Sequence, residues 1–213
     1  MNSILRAAGP EDVDFIAWIM LTAGRSHVSK GGWELLIEGE ERCTEFLRGL
    51  AGARARSYCH HSVFTLAEID GSPAGGLCAY DAGRFGMQTL VDAVREVFAS
   101  MGLDQRERER AAERMAPFLL CAPIEPQGVW ILESVAMLPS YRRRGLTRRL
   151  LEHKLEQGRQ RGFRHAQISI LIGNEAAQRA YEAVGFRVAE EKRHVDFEAA
   201  LGAPGVARMT MSL

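Results

Sequence analysis

The sequence predicts a single α/β domain in which helices pack against a mixed β-sheet. Strand and helix patterns alternate from residue 128 to the end, and this alternation is typical of layered α/β folds. The length of 213 residues suits one domain. A content of 46% hydrophobic and 25% charged residues is that of an ordinary globular protein.

The charge balance and the cysteines exclude several classes of protein. The chain carries 27 Lys and Arg against 27 Asp and Glu, so it has no global attraction for nucleic acid or anionic membranes. No apolar run approaches the ~20 residues that span a bilayer, and residues 1–10 show no secretion signal. We therefore expect a cytoplasmic protein with no nucleic-acid or membrane partner and four reduced cysteines. Cys59, His60 and His61 are adjacent residues that seldom face one ion, so no metal site is predicted.

The first eighty residues predict strands and two helices. Apolar residues at helical spacing after Val13 indicate a helix that ends near Gly24. The Asp70-Gly71 pair indicates a hairpin turn. The predicted elements are strand 4–7, helix 13–24, helix 33–47 and strands 62–69 and 75–80.

Residues 82–127 interrupt this pattern and predict a helical insert before the central strand. Segments 89–101 and 104–119 are helical in pattern, with Gly102 between them. The alternating charges after Asp104 indicate a solvated helix face. The apolar residues are too few for a separate core, so they require the parent sheet or a second copy of the chain. The sequence leaves a homodimer open.

The segment 128–187 has the clearest pattern. Residues 128–137 are apolar on both faces, which predicts a central strand of a covered sheet. A turn, a helix starting near Leu146, a strand over 165–172 and a helix over 174–184 follow, and Gly185 suits a left-handed helix cap. Strands over 186–190 and 207–212 close the chain.

The turn from Tyr141 to Thr147 predicts an anion site. It leads from the central strand into a helix, whose first backbone N–H groups lack partners and whose dipole attracts phosphate. Gly145 permits a close approach to those amides. Arg142, Arg143, Arg144, Arg148 and Arg149 surround the turn. A solvated basic helix start is the alternative interpretation of the turn alone.

A second group of residues follows the next strand. Asn174 and Tyr181 are two helical turns apart and share one face. With the upstream turn, this arrangement resembles the Gcn5-related N-acetyltransferase (GNAT) superfamily over residues 128–187. The family motif Arg/Gln-x-x-Gly-x-Gly/Ala corresponds to Arg142, Gly145 and Thr147, where Thr147 departs from the usual residue. The motif Asn-x-x-Ala-x-x-x-Tyr-x-x-x-Gly-Phe corresponds to Asn174, Ala177, Tyr181, Gly185 and Phe186.

The resemblance implies a mixed, mostly antiparallel sheet and an acyl-CoA-dependent transferase. Such an enzyme moves an acyl group, most often acetyl, from acetyl-CoA to a primary amine by direct attack in a ternary complex. The resemblance also implies that Tyr181 protonates the departing thiolate. The implied cofactor-binding residues are Val135, Ala136, Met137, Arg142, Arg143, Arg144, Gly145, Leu146, Thr147, Arg148, Asn174 and Tyr181.

Glu133 is the candidate general base. Strand alternation places it on one face with Ile131, Val135 and Met137, and a carboxylate among apolar positions is costly unless it has a function or a partner. A structural ion pair with an arginine of a covering helix is the alternative. Some relatives carry a glutamate base at the position of Ser169. The histidines at 60, 61, 165 and 194 stay open as bases.

The sequence is compatible with two functions. The catalytic prediction is an N-acetyltransferase, and the alternative is a non-catalytic module that binds or senses acyl-CoA. The acceptor amine cannot be identified, because residues 25–33 show no charge cluster that selects one. We expect the insert to shape the acceptor cleft or a subunit interface rather than to bind the cofactor.

Overall fold

The computed structural model describes residues 3–213, and its centre is one seven-stranded sheet. The strand order is β1-β2-β3-β4-β5-β7-β6, and all neighbours are antiparallel except β4 and β5. The predicted mixed, mostly antiparallel sheet is thus confirmed. The strands are β1 Ser3–Ala7, β2 Phe64–Ile69, β3 Ser72–Asp81, β4 Trp130–Met137, β5 His165–Leu171, β6 Arg187–Arg193 and β7 Gly205–Ser212.

Helices cover both faces of the sheet. They are α1 Val13–Arg25, α2 Gly32–Leu36, α3 Glu40–Gly52, α4 Ala82–Phe85, α5 Met87–Ser100, α6 Gln105–Leu119, α7 Leu146–Gln160, α8 Glu175–Glu182 and α9 Val195–Leu201. One core joins α1, α3 and α5 to one face of the sheet, and a second core joins α7 and α8 to the other face. None of the helices in the described part of the chain is long and apolar enough to cross a membrane.

The predicted helices differ from those of the structure. The single helix expected over 33–47 is two helices, because Gly39 adopts a φ of +88° and ends the helical path between α2 and α3. The sequence pattern also missed α9, which spans only seven residues and begins at an exposed Val195. Two turns of helix offer too few apolar repeats for a clear periodic signal.

The central parallel pair of strands is short, and this leaves a gap between β4 and β5. Only Trp130 to Leu132 of β4 pairs with Ala166 to Ile168 of β5. Beyond Leu132 the two strands have no register with each other, although β4 continues to Met137. The edge of β4 that faces β5 therefore leaves backbone groups unpaired. We call the space between Glu133–Met137 and the end of β5 the notch.

The insert packs on the parent domain. Phe98 of α5 meets Phe46 of α3 with ring centroids 5.6 Å apart, and Leu90, Ala93 and Val97 are buried in the same core. Helix α6 lies against α2 and α9. The apolar stripe of the insert is thus covered within the chain, and its burial does not require a second copy.

Helix α7 packs closely on the central strand at Gly158, which gives a test of the packing. An alanine Cβ at Gly158 would lie 2.6 Å from Cδ1 of Trp130, whose ring is fully buried and whose Nε1 donates to the Lys154 carbonyl. We expect Gly158→Ala to lower the free energy of unfolding by about 1–3 kcal/mol. Gly52→Ala, with no atom within 4 Å of its Cβ, is the matched control. Urea unfolding that shows equal stability for both variants would contradict this packing.

Candidate active site

A β-bulge in β4 sets the directions of the side chains at the notch. Gly76 of β3 pairs with Ala136 and Cys78 pairs with Glu133, so two β4 residues stand opposite one residue of β3. Ser134 adopts a φ of +53°, a conformation that non-glycine residues seldom take. Bulges re-aim side chains next to active sites. Here the bulge reverses the alternation of faces after Glu133.

The prediction that Glu133 shares a face with Val135 and Met137 is therefore wrong. Ile131, two residues before Glu133, belongs to the core under α1, whereas Val135 and Met137 pack in the core under α7. Glu133 thus remains on the face of Ile131. The extra residue in the bulge puts the side chains of Val135 and Met137 on the other side of the sheet.

The environment of Glu133 favours a proton-transfer role over an ion pair. Burial raises the pKa of the Glu133 carboxyl to about 7, and the negative charge of Glu125 adds to this shift. No cation within residues 3–213 is among the groups that shift this pKa. The alternative of a structural ion pair is therefore not observed. A half-buried carboxyl that titrates near neutral pH is suited to general acid–base work.

Glu125 was not predicted from the sequence, and it comes from the exit of the insert. The exit segment, residues 122–127, crosses the sheet on the α1 face, and both oxygens of Glu125 are held in place. Its second oxygen accepts a hydrogen bond from the backbone of Met87 at 3.1 Å. Three side chains of the sheet hold the segment: Lys192 Nζ donates to the Ala122 carbonyl at 3.0 Å, Gln167 Nε2 to the Ile124 carbonyl at 2.8 Å and the Tyr80 hydroxyl to Glu125 Oε1 at 2.9 Å.

Tyr181 is buried in α8, and its charge environment includes Glu133. The ring packs edge-on to Phe186 with centroids 6.4 Å apart and is 6% exposed. Burial and then the negative charge of Glu133 raise the pKa of Tyr181 above its usual range. The structure therefore brings the two predicted catalytic side chains into electrostatic reach of each other.

The turn before α7 has the backbone geometry of an anion site. Arg143 and Gly145 have φ values of +58° and +76°, and Gly145 is the N-cap of α7 without a side-chain cap. The first amides of α7, from Leu146 to Arg148, therefore lack a capping side chain. Apart from its chain neighbours, nothing lies within 4 Å of a Cβ built on Gly145, so the space beside this N-cap is open.

The arginines of this turn have different partners. Arg142 Nε donates to the Met137 carbonyl at 3.1 Å and fastens the turn to the end of β4. Arg148 pairs with Glu152 at 2.7 Å, and the Arg144 guanidinium lies over the Tyr141 ring. Arg142, Arg143 and Arg144 are all exposed. The turn therefore presents positive charge beside the open amides.

The structure gives Asn174 an internal role. Its Oδ1 accepts from the backbone of Ala177 at 3.1 Å and caps α8, and its Nδ2 donates to Ser26 Oγ at 2.6 Å. Both polar atoms of the side chain thus have protein partners. The implied contact with the cofactor stays a prediction.

The remaining candidate residues of the sequence lie in other settings. The rings of His60 and His61 lie in a tilted arrangement with centroids 4.1 Å apart, and burial lowers the pKa of His60 to about 4. His194 caps α9 through the Asp196 amide, and His165 is exposed at the start of β5. No group of three metal-ligating side chains is found among residues 3–213.

Solved structures share this fold at low sequence identity. A crystal structure described as an acetyltransferase matches 98% of this chain and 98% of its own with a TM-score of 0.68 and 20% identity. An N-acetyltransferase from Staphylococcus aureus Mu50 matches 98% of this chain and all of its own with a TM-score of 0.69 and 17% identity. These likenesses establish the fold.

Sequence relatives match a part of the chain. The [ribosomal protein bS18]-alanine N-acetyltransferase of Salmonella typhimurium is 33% identical over 84 residues, which is 39% of this chain and 55% of the relative. The enzyme of the same name from Escherichia coli K12 is 32% identical over 81 residues, 38% of this chain and 53% of the relative. The chain spans about half the length of these curated relatives.

A family profile covers far more of the chain than these relatives do. The profile of the Acetyltransferase (GNAT) family matches residues 33–186. This range includes the central strand, the notch, the arginine turn and α8. The chain belongs to the acetyltransferase (GNAT) family.

Proposed function

We propose that the protein is an acyl-CoA-dependent N-acyltransferase that moves an acetyl group to a primary amine. The observation that carries the proposal is the notch, where an open backbone edge of β4 lies between Glu133 and the turn that leads to α7. Tyr181 completes the arrangement from α8. The family and the named relatives support the same reaction class.

The residues at the notch fit acetyl-CoA. The unpaired edge of Val135, Ala136 and Met137 offers backbone groups to the amides of a pantetheine arm. The open amides of Leu146, Thr147 and Arg148 offer donors to a pyrophosphate. Exposed Arg142, Arg143 and Arg144 add positive charge at the same place.

Acetyl-CoA, when bound, supplies the thioester whose carbonyl carbon the amine attacks. From the neutral amine, a C–N bond forms and a C–S bond breaks, the nitrogen loses one proton and the sulfur gains one. An acceptor that arrives as an ammonium ion first loses one further proton, which passes to solvent. Glu133 takes the proton of the amine, directly or through one water. Its pKa of about 7 reduces the mismatch with an amine of pKa about 10 from about 6 pH units to about 3. Tyr181 donates a hydrogen bond to the sulfur as negative charge develops.

The acceptor side of the notch is acidic. Glu133 and Glu125 both contribute negative charge there. Among the described residues, no cation shifts the pKa of Glu133. A primary amine arrives as an ammonium ion at neutral pH, and this charge suits the two carboxylates. The bS18-alanine relatives act on a ribosomal protein. For this chain we propose a primary amine, and we assign the exit segment of the insert to the acceptor wall.

We further propose a cytoplasmic location, with no nucleic-acid or membrane partner and no metal. The equal numbers of acidic and basic residues support the absence of a nucleic-acid partner. The four buried cysteine thiols suit a reducing compartment. The apolar stripe of the insert is already covered within the chain, so its burial neither requires nor excludes a homodimer.

The experiment that tests the proposed function is a turnover screen. The protein is mixed with acetyl-CoA and amines of several classes, including peptides with a free amino terminus, polyamines and aminoglycosides, and thiol release is recorded. We expect thiol release that depends on one amine class. Acetyl-CoA binding without turnover on any class would support the non-catalytic module instead.

The turn before α7 gives a binding prediction. A Gly145→Ala variant should keep its fold, because its Cβ meets no neighbouring side chain or backbone within 4 Å and only the φ of +76° strains it. The added methyl group occupies open space at the N-cap of α7, next to the uncapped amides. We expect the acetyl-CoA affinity to fall about tenfold or more, as the loss of one hydrogen bond to a charged group predicts. Isothermal titration with acetyl-CoA measures this change.

Gly102→Ala is the matched control for that experiment. Gly102 has a φ of +70° and open space at its Cβ, so the substitution carries the same backbone strain but lies in the insert. Its acetyl-CoA affinity should equal that of the parent. Equal affinities of both variants would exclude the turn as the binding site.

A further inference from the structure

The loop between α1 and α2 is fastened at both ends. Arg25 at the end of α1 pairs with Glu34 of α2 at 2.7 Å and with Glu40 of α3 at 2.6 Å. Glu34 also accepts a hydrogen bond from the Gly31 amide at 2.9 Å. These contacts fix the entry to α2. Residues 26–30 lie between this cluster and the start of α8.

The near side of the loop rests on Asn174. Ser26 follows α1 with φ +56° and ψ −111°, a conformation outside the regions that L-residues prefer. Such a conformation persists only where its surroundings hold it. The hydrogen bond from Asn174 Nδ2 to Ser26 Oγ, at 2.6 Å, is the side-chain contact that reaches it from α8.

The loop also touches the end of β5. A Cβ built on Gly173 would lie 3.0 Å from His27 Nε2, and Gly173 has a φ of +101°. Ser26 Oγ in turn lies 3.3 Å from His27 Nδ1. Residues 26–30 therefore border the β5 side of the notch.

We propose that Asn174 is a positioning residue that ties residues 26–30 to the start of α8 and so orders the wall of the notch on the β5 side. Its side chain orders this wall through the hydrogen bond to Ser26 Oγ. The notch is an acyl-CoA site only under the proposed function, so any effect of this wall on catalysis rests on that proposal. The tie itself depends only on the contacts of Asn174 and Ser26.

Four substitutions separate the tie from the other roles of these residues. Asn174→Ser keeps a good helix cap but is too short to reach Ser26. Asn174→Asp keeps the cap and can accept a hydrogen bond from the Ser26 hydroxyl. Ser26→Ala removes the hydroxyl and retains the backbone strain, whereas Ser26→Gly removes the hydroxyl and relieves the strain.

Amide hydrogen exchange of the full chain is the first measurement. We expect exchange of the amides of residues 27–31 to rise about three- to tenfold in Asn174→Ser and Ser26→Ala, as one lost hydrogen bond predicts. The double variant should exchange no faster than either single variant, and Asn174→Asp should stay near the parent. The same amides should also exchange faster in Ser26→Gly, because the tie is the hydrogen bond to the Ser26 hydroxyl and does not depend on the backbone strain. Unchanged exchange in both Asn174→Ser and Ser26→Ala would overturn the proposal.

Acetyl-CoA titration is the second measurement. Ser26→Ala should bind acetyl-CoA as the parent does, because Ser26 is outside the residues assigned to the cofactor. An affinity loss in Asn174→Ser without faster exchange would make Asn174 a cofactor contact only and would overturn the tie. If the parent itself does not bind acetyl-CoA, the proposed function fails, and the exchange data still decide whether the tie exists.

Discussion

Glu133→Gln is expected to lower kcat by about 10²- to 10⁴-fold, the usual contribution of a positioned general base. Glutamine has nearly the same shape but cannot accept a proton from the attacking amine. Because Glu133 must be ionised to act, and burial raises its pKa to about 7, the parental rate should rise with pH through about 7. The pH profile of thiol release with one amine measures both effects.

Glu125→Gln is the matched control for this profile. It removes the like charge that adds to the raised pKa of Glu133, so the acidic limb should move to lower pH while kcat at its plateau is retained. The limb should stay above the ordinary glutamate pKa of about 4.3, because burial is the larger cause. Ionisation of the amine itself contributes equally to all three profiles. A limb that persists unchanged in Glu133→Gln would exclude Glu133 as the base.

The family and the notch-forming elements could be predicted because their signals are local. The turn with Gly145 and the helix with Tyr181 are each contiguous segments in which residue type dictates backbone geometry. In the structure Leu146 of this helix start and Tyr181 pack in one core with Val135 and Met137 of β4. Short-range patterns of this kind survive in any tertiary context that keeps strand, turn and helix in sequence.

The faces of Val135 and Met137 could not be predicted, because a bulge depends on the partner strand. Strict alternation places Val135 beside Glu133, and only the pairing of Gly76 with Ala136 shows the extra residue. Glycines in β3 allow this close approach, since a Cβ at Gly75 would lie 2.5 Å from the Ala136 carbonyl oxygen. Sequence periodicity along β4 carries no information about that contact.

Contacts between segments far apart in the chain could not be predicted from the sequence either. Glu125 acts on the pKa of Glu133 from the exit of the insert, which Tyr80 and Gln167 hold on the sheet. Asn174 reaches Ser26 across 148 residues of sequence. Neither pair has a spacing or a local signature that identifies it.

Tyr181→Phe is expected to lower kcat by about 10²- to 10⁴-fold and to leave acetyl-CoA affinity nearly unchanged. Phenylalanine keeps the edge contact with Phe186, so the packing of α8 is retained. Only the hydroxyl, which we propose as the hydrogen-bond donor to the developing thiolate, is lost. Circular dichroism and acetyl-CoA titration establish that fold and binding are intact, and thiol release measures turnover. Tyr141→Phe, which keeps its ring under the Arg144 guanidinium, should turn over at the parental rate.

The raised pKa of Tyr181 also predicts how the hydroxyl acts. A free thiol has a pKa of about 8.5 and tyrosine one of about 10, so complete proton transfer to the thiolate already costs about 2 kcal/mol. Burial and the charge of Glu133 raise the pKa of Tyr181 further and increase this cost. Tyr181 should therefore stabilise the thiolate chiefly as a hydrogen-bond donor, and the parental rate should not decline as pH rises from 8 to about 10. A basic limb below pH 9 that vanishes in Tyr181→Phe would show instead that the hydroxyl ionises early and transfers its proton fully.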